Sequence, residues 1–249
     1  MKKYALITGA SSGIGEEFAR QLSEDYHLIL TARREDRLYK MKEKYNCHII
    51  IADLSKEEDC FYLFETIKDK KIDLFINNAG FGDCGQFSKT DLKKELDMIN
   101  VNIKSLHILT KLMLRHMLQY NEGIILNVAS SAGLMPAGPY MSTYYATKSY
   151  VTSLTLGIAE ELRNTPIHIH CLCPGPVKTE FDKVANVKKS LKSITAHQCV
   201  TYTLKKLSKK KIIIIPEFYM RIALTLGRFL PTELYIKISA YQQRKKIGY

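Results

Sequence analysis

The chain has six cysteines, at positions 47, 60, 84, 171, 173 and 199, but no C-x-x-C pair and no histidines at zinc-finger spacing beside them. That pattern gives neither a metal site nor a disulfide framework, so the thiols are expected as small core residues in a reducing compartment, with no metal. Long apolar runs are also missing. No span approaches the roughly 18 residues of a membrane-crossing helix, and the opening MKKYALITGASSGIG meets glycines and serines after a short apolar run, unlike a signal peptide. The expectation is a soluble, cytoplasmic protein. No repeat, low-complexity tract or Pro/Gly/Ser-rich linker divides the 249 residues, so one domain is the default.

Acidic side chains are scarce in one region only. Residues 183–249 hold 15 Lys or Arg against 2 Glu, whereas residues 1–182 carry 22 positive and 23 negative charges, so the net charge of +12 belongs to the C-terminal quarter. No helix-turn-helix, zinc finger or aromatic RNA-binding signature accompanies it, so no nucleic-acid partner is expected.

Seven short runs rich in Ile, Leu and Val read as buried strands: 4–8, 27–32, 47–52, 72–77, 124–129, 167–173 and 211–216. Segments with helical spacing lie between them, including 14–24, 56–70, 92–119 and 143–163. Strands alternating with helices imply an α/β fold, a single-domain, Rossmann-like, doubly wound sheet of seven parallel strands with helices on both faces.

Directly after the first run comes TGASSGIG, with Gly9, Gly13 and Gly15 ahead of an amphipathic helix. Glycines there let the chain turn tightly and bring backbone N–H groups and a helix N-terminus to a pyrophosphate, which points to a dinucleotide. Ser11 and Ser12 are hydroxyl donors to the ligand or caps of the helix. A carboxylate at the end of the second strand would bind a ribose 2′-hydroxyl and repel a 2′-phosphate, but LTARREDRL places Arg33 and Arg34 there. NADP(H) is therefore the expected cofactor, with Arg33 as the leading 2′-phosphate ligand. Asp53, after the third strand, is a candidate acceptor for the adenine amino group or a helix cap.

Further blocks follow in order: Asp53-Leu54, NNAG at 77–80, NVASSAG at 127–133, YYATK at 144–148 and CPGPVKTEF at 173–181. Together with the glycine loop, this order and strand phasing resemble the short-chain dehydrogenase/reductase family over residues 3–217. The resemblance implies an NADP(H)-dependent oxidoreductase interconverting a carbonyl and an alcohol. It also selects among three Tyr-x-x-x-Lys matches, Tyr144/Lys148, Tyr202/Lys206 and Tyr241/Lys245, because only the first lies between the serine and Pro-Gly blocks. A phenol with pKa near 10 needs a neighbouring cation to cycle at neutral pH, which gives Tyr144 the general acid/base role and Lys148 the supporting charge.

The resemblance further assigns Asn102 to a helix distortion and a proton relay. It assigns Ile14, Leu54, Asn78, Ala79, Gly80 and Val101 to the cofactor wall, and Pro174, Gly175, Val177 and Thr179 to the segment behind the nicotinamide. The substrate-orienting serine is Ser130 by the N-x-x-S block, whereas counting back from Tyr144 by the family's spacing selects Ser131. Tyr145 reads as packing or pocket wall. Residues 180–200 occupy the place of a substrate lid on the 1–217 core. Residues 218–249 form a basic amphipathic extension of the same domain, with Phe218, Ile222, Leu226 and Phe229 on one helical face and Arg221, Thr225 and Arg228 on another. Packing in a homodimer or homotetramer is the preferred role for that helix over peripheral membrane contact. The partner is a small-molecule carbonyl or alcohol. The competing reading is a non-catalytic NADP-binding regulatory or scaffold protein with the same fold.

Overall fold

The computed structural model of the protein describes residues 2–188, 192–207, 209 and 211–247. Seven parallel strands form the central sheet: β1 (Lys3–Thr8), β2 (Tyr26–Ala32), β3 (His48–Ile51), β4 (Ile72–Asn77), β5 (Gly123–Val128), β6 (Ile167–Leu172) and the short edge strand β9 (Ile213–Ile214). Their order is β3-β2-β1-β4-β5-β6-β9. Side chains alternate along the strands as a two-residue period requires. Ile7, Leu30 and Ile76 point to one face and Leu6, Ile29 and Phe75 to the other.

Each face carries its own helices. On the first, α1 (Gly13–Leu22), α2 (Glu35–Tyr45) and α8 (Ala196–Leu207) bury Phe18, Leu38 and Val200. On the second, α3 (Glu57–Ile67) buries Leu63 and Ile67, α5 (Leu106–Tyr120) buries Met113 and Met117, and α6 (Ser142–Glu161) adds the half-buried Ile158. Removing a side chain such as Phe18 or Phe75 from water contributes about 1.5–3 kcal/mol. Because the faces are separately filled, the sheet is a rigid plate between two cores, and its strand C-termini form one edge where loops meet.

All seven strand segments read from the sequence pair in the sheet, and two features depart from the sequence reading. The helical segment expected over 92–119 is not continuous: α4 (Leu92–Ile99) runs into a π-helical stretch at Asn100–Ser105 before α5 begins. A second, two-stranded parallel sheet, β7 (Val177–Lys178) with β8 (Ile194–Thr195), had no apolar run to announce it. Between these strands lies α7 (Phe181–Val184), so the expected lid has its own small frame; residues 189–191 of it lie outside the described residues. Two helices, α9 (Phe218–Gly227) and α10 (Thr232–Ile247), make up the extension.

Candidate active site

Strand order reverses beside β1, because β2 leaves it on one side and β4 pairs on the other, and a doubly wound sheet opens a crevice at that point. The chain leaves β1 through Gly9 at φ +64° and Gly13 at φ +59°, both in the left-handed region open to glycine. A side chain at Gly9 would press to within 2.9 Å of the Ala79 backbone, so the two loops over the crevice touch only because Gly9 lacks one. Gly15 plays a similar part: a Cβ there would lie 2.4 Å from the Gly9 carbonyl oxygen. The loop after β4 is fixed from beneath, where the Thr8 hydroxyl accepts from the N–H groups of Asn78 and Ala79, each at 2.9 Å.

At the start of α1, the N-cap Ser12 makes no side-chain capping bond, so the first N–H groups of the helix are left for another acceptor. Open N–H groups at a positive helix end, under a glycine loop, fit a pyrophosphate. Positive charge sits beside them. Arg34 donates through Nε to Ser11 Oγ at 3.1 Å and through Nη2 to Ser12 Oγ at 2.6 Å, while Arg33 is exposed and approaches Asp53 at 3.8 Å. Asp53 Oδ1 accepts from the Ser55 backbone and hydroxyl, so this carboxylate caps the turn before α3 while it lines the crevice.

The crevice continues into one cavity of about 870 Å³ that reaches the catalytic residue candidates. Every expected catalytic or cofactor-binding residue lines it except Gly15 and Asn102, which lie behind its wall. The Ser130 side chain stands beside the Tyr144 phenol and draws its pKa down against burial, while Ser130 Oγ donates to the Pro174 carbonyl at 3.5 Å. Ser131 has its backbone N–H on the same carbonyl at 2.8 Å. Ser130 Oγ accepts from the Ala132 N–H at 3.1 Å and so closes the turn that follows β5.

Lys148, one turn along α6, is buried with its Nζ 2.9 Å from the Val128 carbonyl oxygen and 5.9 Å from the Tyr144 ring centre. Burial lowers this ammonium to about 8, partly opposed by the thiols of Cys171 and Cys173. Burial also raises the Tyr144 phenol to about 12, against the pull of the Ser130 side chain. Desolvation disfavours the charged form in both cases, so the site holds a neutral phenol.

Asn102 lies in the π-helical stretch. Its Nδ2 donates to the Phe81 carbonyl at 2.9 Å and to Thr147 Oγ1 at 3.0 Å, and its Oδ1 accepts from the Phe81 N–H at 3.1 Å. Gly80 fits between this asparagine and the lysine, since a Cβ there would stand 2.9 Å from Asn102 Oδ1 and 3.2 Å from Lys148 Nζ. The sequence reading did not single out Thr147 or Glu180. Glu180 accepts from Arg34 at 2.8 Å and from Arg37 through both carboxylate oxygens at 2.9 Å, which ties the first residue of the lid to the arginine cluster. An acid just past the Pro-Gly block was the only available sign of it.

A family profile described as short chain dehydrogenase matches residues 3–190. Among similar proteins, an uncharacterised oxidoreductase of Bacillus subtilis, YvrD, is 33% identical over 185 residues, covering 72% of this chain and 70% of that protein. The very-long-chain 3-oxoacyl-CoA reductase of Anas platyrhynchos is 30% identical over 194 residues, covering 73% of this chain and 62% of that protein. A short-chain dehydrogenase of Sphingobium yanoikuyae, solved in complex with NADPH, superposes with a TM-score of 0.81 at 27% identity, over 91% of this chain and 93% of that one. A Burkholderia phymatum relative in complex with NAD, 24% identical with a TM-score of 0.82 over 96% and 95% of the two chains, shares the fold.

Proposed function

The chain belongs to the short-chain dehydrogenase family, and from that premise we propose that it is an NADPH-dependent reductase converting a ketone or aldehyde to an alcohol, with Tyr144 as the proton donor. The observation that carries the reading is that Ser130, Tyr144 and Lys148, with Lys148 Nζ 5.9 Å from the Tyr144 ring, line one cavity with the glycine loop. NADPH held by the glycine loop, the 78–80 loop and the 174–179 segment supplies the hydride.

The protein's own residues handle the oxygen. Ser130 Oγ orients the carbonyl oxygen by donating to it, and Tyr144 delivers its proton as negative charge develops there. A phenol held near 12 is protonated at neutral pH, which is the form needed to donate. Lys148, cationic below about pH 8, stabilises the phenolate left behind. Asn102 bridges Phe81 and Thr147, keeping the π-helical stretch seated against α6.

Arg33 and Arg34 support the phosphorylated cofactor over NAD, since two guanidiniums and no carboxylate stand at the end of β2. The reading includes a cytoplasmic location, consistent with six cysteines of which none is in a disulfide. It also includes a homodimer or homotetramer, for which the exposed Leu96, Ile99, Leu118 and Leu156 of α4–α6 supply apolar surface. The decisive experiment measures NADPH oxidation with a panel of ketones and aldehydes for the wild type and Tyr144→Phe. Turnover is expected to fall at least ~10³-fold in the variant while NADPH affinity stays within about threefold. Unchanged activity in Tyr144→Phe would refute the mechanism. Tight NADPH binding without turnover on any carbonyl would favour the scaffold reading.

A further inference from the structure

The two C-terminal helices are built inside out for a water-facing surface. On α9 the stripe Phe218, Ile222, Leu226 continues to Phe229, and these residues are exposed by 68%, 45%, 62% and 83%. On α10 the exposed side chains include Leu234, Ile238 and Tyr241, whereas Ser239 and Gln243 are the buried ones, turned to Ala137 and to Tyr145. A helix lying against water normally shows the reverse distribution.

The cavity explains part of this exposure, because Leu226, Leu230 and Ile238 line its walls. It does not explain Phe218, Ile222, Phe229, Leu234 or Tyr241, none of which lines it. Charge identifies what covers them. Arg228 and Lys237 flank the stripe along the helices, Arg221 lies over the Phe218 ring and Lys245 over the Tyr241 ring, while Arg244 turns inward to Tyr140; Glu233 is the only acid of 218–247, within a quarter of the chain that holds 15 basic and 2 acidic residues. A second copy placed here about a two-fold axis would set like charge against like. An anionic lipid surface matches both the aromatic and aliphatic stripe and the cations around it.

We propose that α9 and α10 form an interfacial element that lays the protein on an anionic bilayer, with Phe218, Leu226 and Phe229 entering the headgroup boundary. No helix among the described residues is long and apolar enough to cross a membrane, so the contact is peripheral. Since Leu226, Leu230 and Ile238 are shared between this face and the cavity wall, the element also opens the cavity toward the lipid. That last consequence rests on the reductase reading, whereas lipid binding itself does not.

The test is co-sedimentation of the full chain, with and without NADPH, with vesicles of phosphatidylcholine alone and of phosphatidylcholine containing phosphatidylglycerol. Binding is expected to the anionic vesicles at about 0.15 M salt and to be about tenfold weaker to the neutral ones. Phe218→Asp and Phe229→Asp are each expected to weaken anionic-vesicle binding about tenfold without altering NADPH affinity or the melting temperature. Absence of binding to anionic vesicles would overturn the proposal, and so would binding that both variants leave unchanged, since charge alone would then account for it. If sedimentation velocity instead finds a dimer that Phe229→Asp converts to monomer, a second copy covers this face and the lipid proposal is wrong.

Discussion

At the level of single residues, what distinguishes Tyr144 and Lys148 from the chain's other tyrosine–lysine pairs is burial. The lysine lies over the ring in all three pairs, at 5.9 Å for Lys148 on Tyr144, 5.2 Å for Lys206 on Tyr202 and 4.3 Å for Lys245 on Tyr241, as an i,i+4 spacing on a helix dictates. Only the first pair is withdrawn from water, and the position of a motif between β5 and β6 foretells that where its spelling does not. Burial makes Lys148 a test of linkage. Its folded pKa of about 8 lies below the ordinary 10.5, so between those values the unfolded chain binds a proton that the folded chain does not. Its contribution to stability therefore rises with pH across that window. Urea unfolding of wild type and Lys148→Met at pH 7 and pH 10 checks this: the wild type is expected to gain on the variant at the higher pH, and equal shifts would contradict it. The choice between adjacent residues was less legible. Neighbouring serines at 130 and 131 have the same chemistry, and only the backbone path after β5, with Ser130 extended at φ −169°, turns the Ser130 side chain toward the Tyr144 phenol. The same holds for the arginines. Arg34 is held by both loop hydroxyls and by Glu180, whereas Arg33 stays exposed beside Asp53, and Arg33→Ala is expected to raise KM for NADPH about tenfold while leaving KM for NADH within about threefold. Steady-state kinetics with both cofactors measure that difference.

Among the elements, strands were legible because a buried parallel strand must be a continuous apolar run, and all seven runs carry one. The π-helical stretch was invisible to periodicity, because Asn100–Ser105 keeps helical composition and differs from α4 and α5 only in hydrogen-bond register; only the family resemblance, through Asn102, implied a distortion there. What holds the register there is tertiary: Asn102 reaches across to Phe81 and Thr147, partners distant in sequence. β7 and β8 escaped notice for a different reason. Two residues each are too short for a period, and their pairing depends on the lid folding back to Pro176, whose carbonyl accepts from Ile194. Elements that meet the site closely are also where added bulk is least tolerated. The turn Ser131–Leu134 sits directly on α6, and a Cβ at Gly133 would lie 2.3 Å from the Lys148 carbonyl oxygen and 2.6 Å from Thr152 Oγ1. Backbone cannot yield as a flexible side chain does, so Gly133→Ala is expected to cost about 1–3 kcal/mol. Thermal denaturation should read this as a drop of several degrees, together with reduced turnover as α6 is pushed from β5. An unchanged melting temperature would mean that the turn relaxes away from the helix at no cost.

Across the whole molecule, the extension is joined by hydrogen bonds to the catalytic helix and the residues before it. Gln243 Nε2 donates to the Tyr145 hydroxyl at 2.6 Å, and Ser239 Oγ, beside the same phenol, donates to the Ala137 carbonyl at 3.3 Å. Tyr145 adjoins Tyr144, with ring centres 6.4 Å apart, so the residue beside the proposed proton donor is also the peg on which α10 hangs. From the sequence Tyr145 reads only as wall or packing, since Ser239 and Gln243 lie 94 and 98 positions further along the chain. Replacing it by Phe keeps the ring and its packing but strands the Gln243 amide in a site with little water, at a cost of about 1–3 kcal/mol. That cost falls on the docking of α10, because the central sheet and the glycine loop make no use of this hydroxyl. Tyr145→Phe is therefore expected to speed amide hydrogen exchange across α10 and raise KM for bulky ketones about tenfold, while NADPH affinity, set at the opposite end of the cavity, stays unchanged. Faster exchange spread evenly through β1, β4 and β5 would instead mean that the hydroxyl supports the core, and that the extension is part of what folds the sheet rather than a wall attached to it.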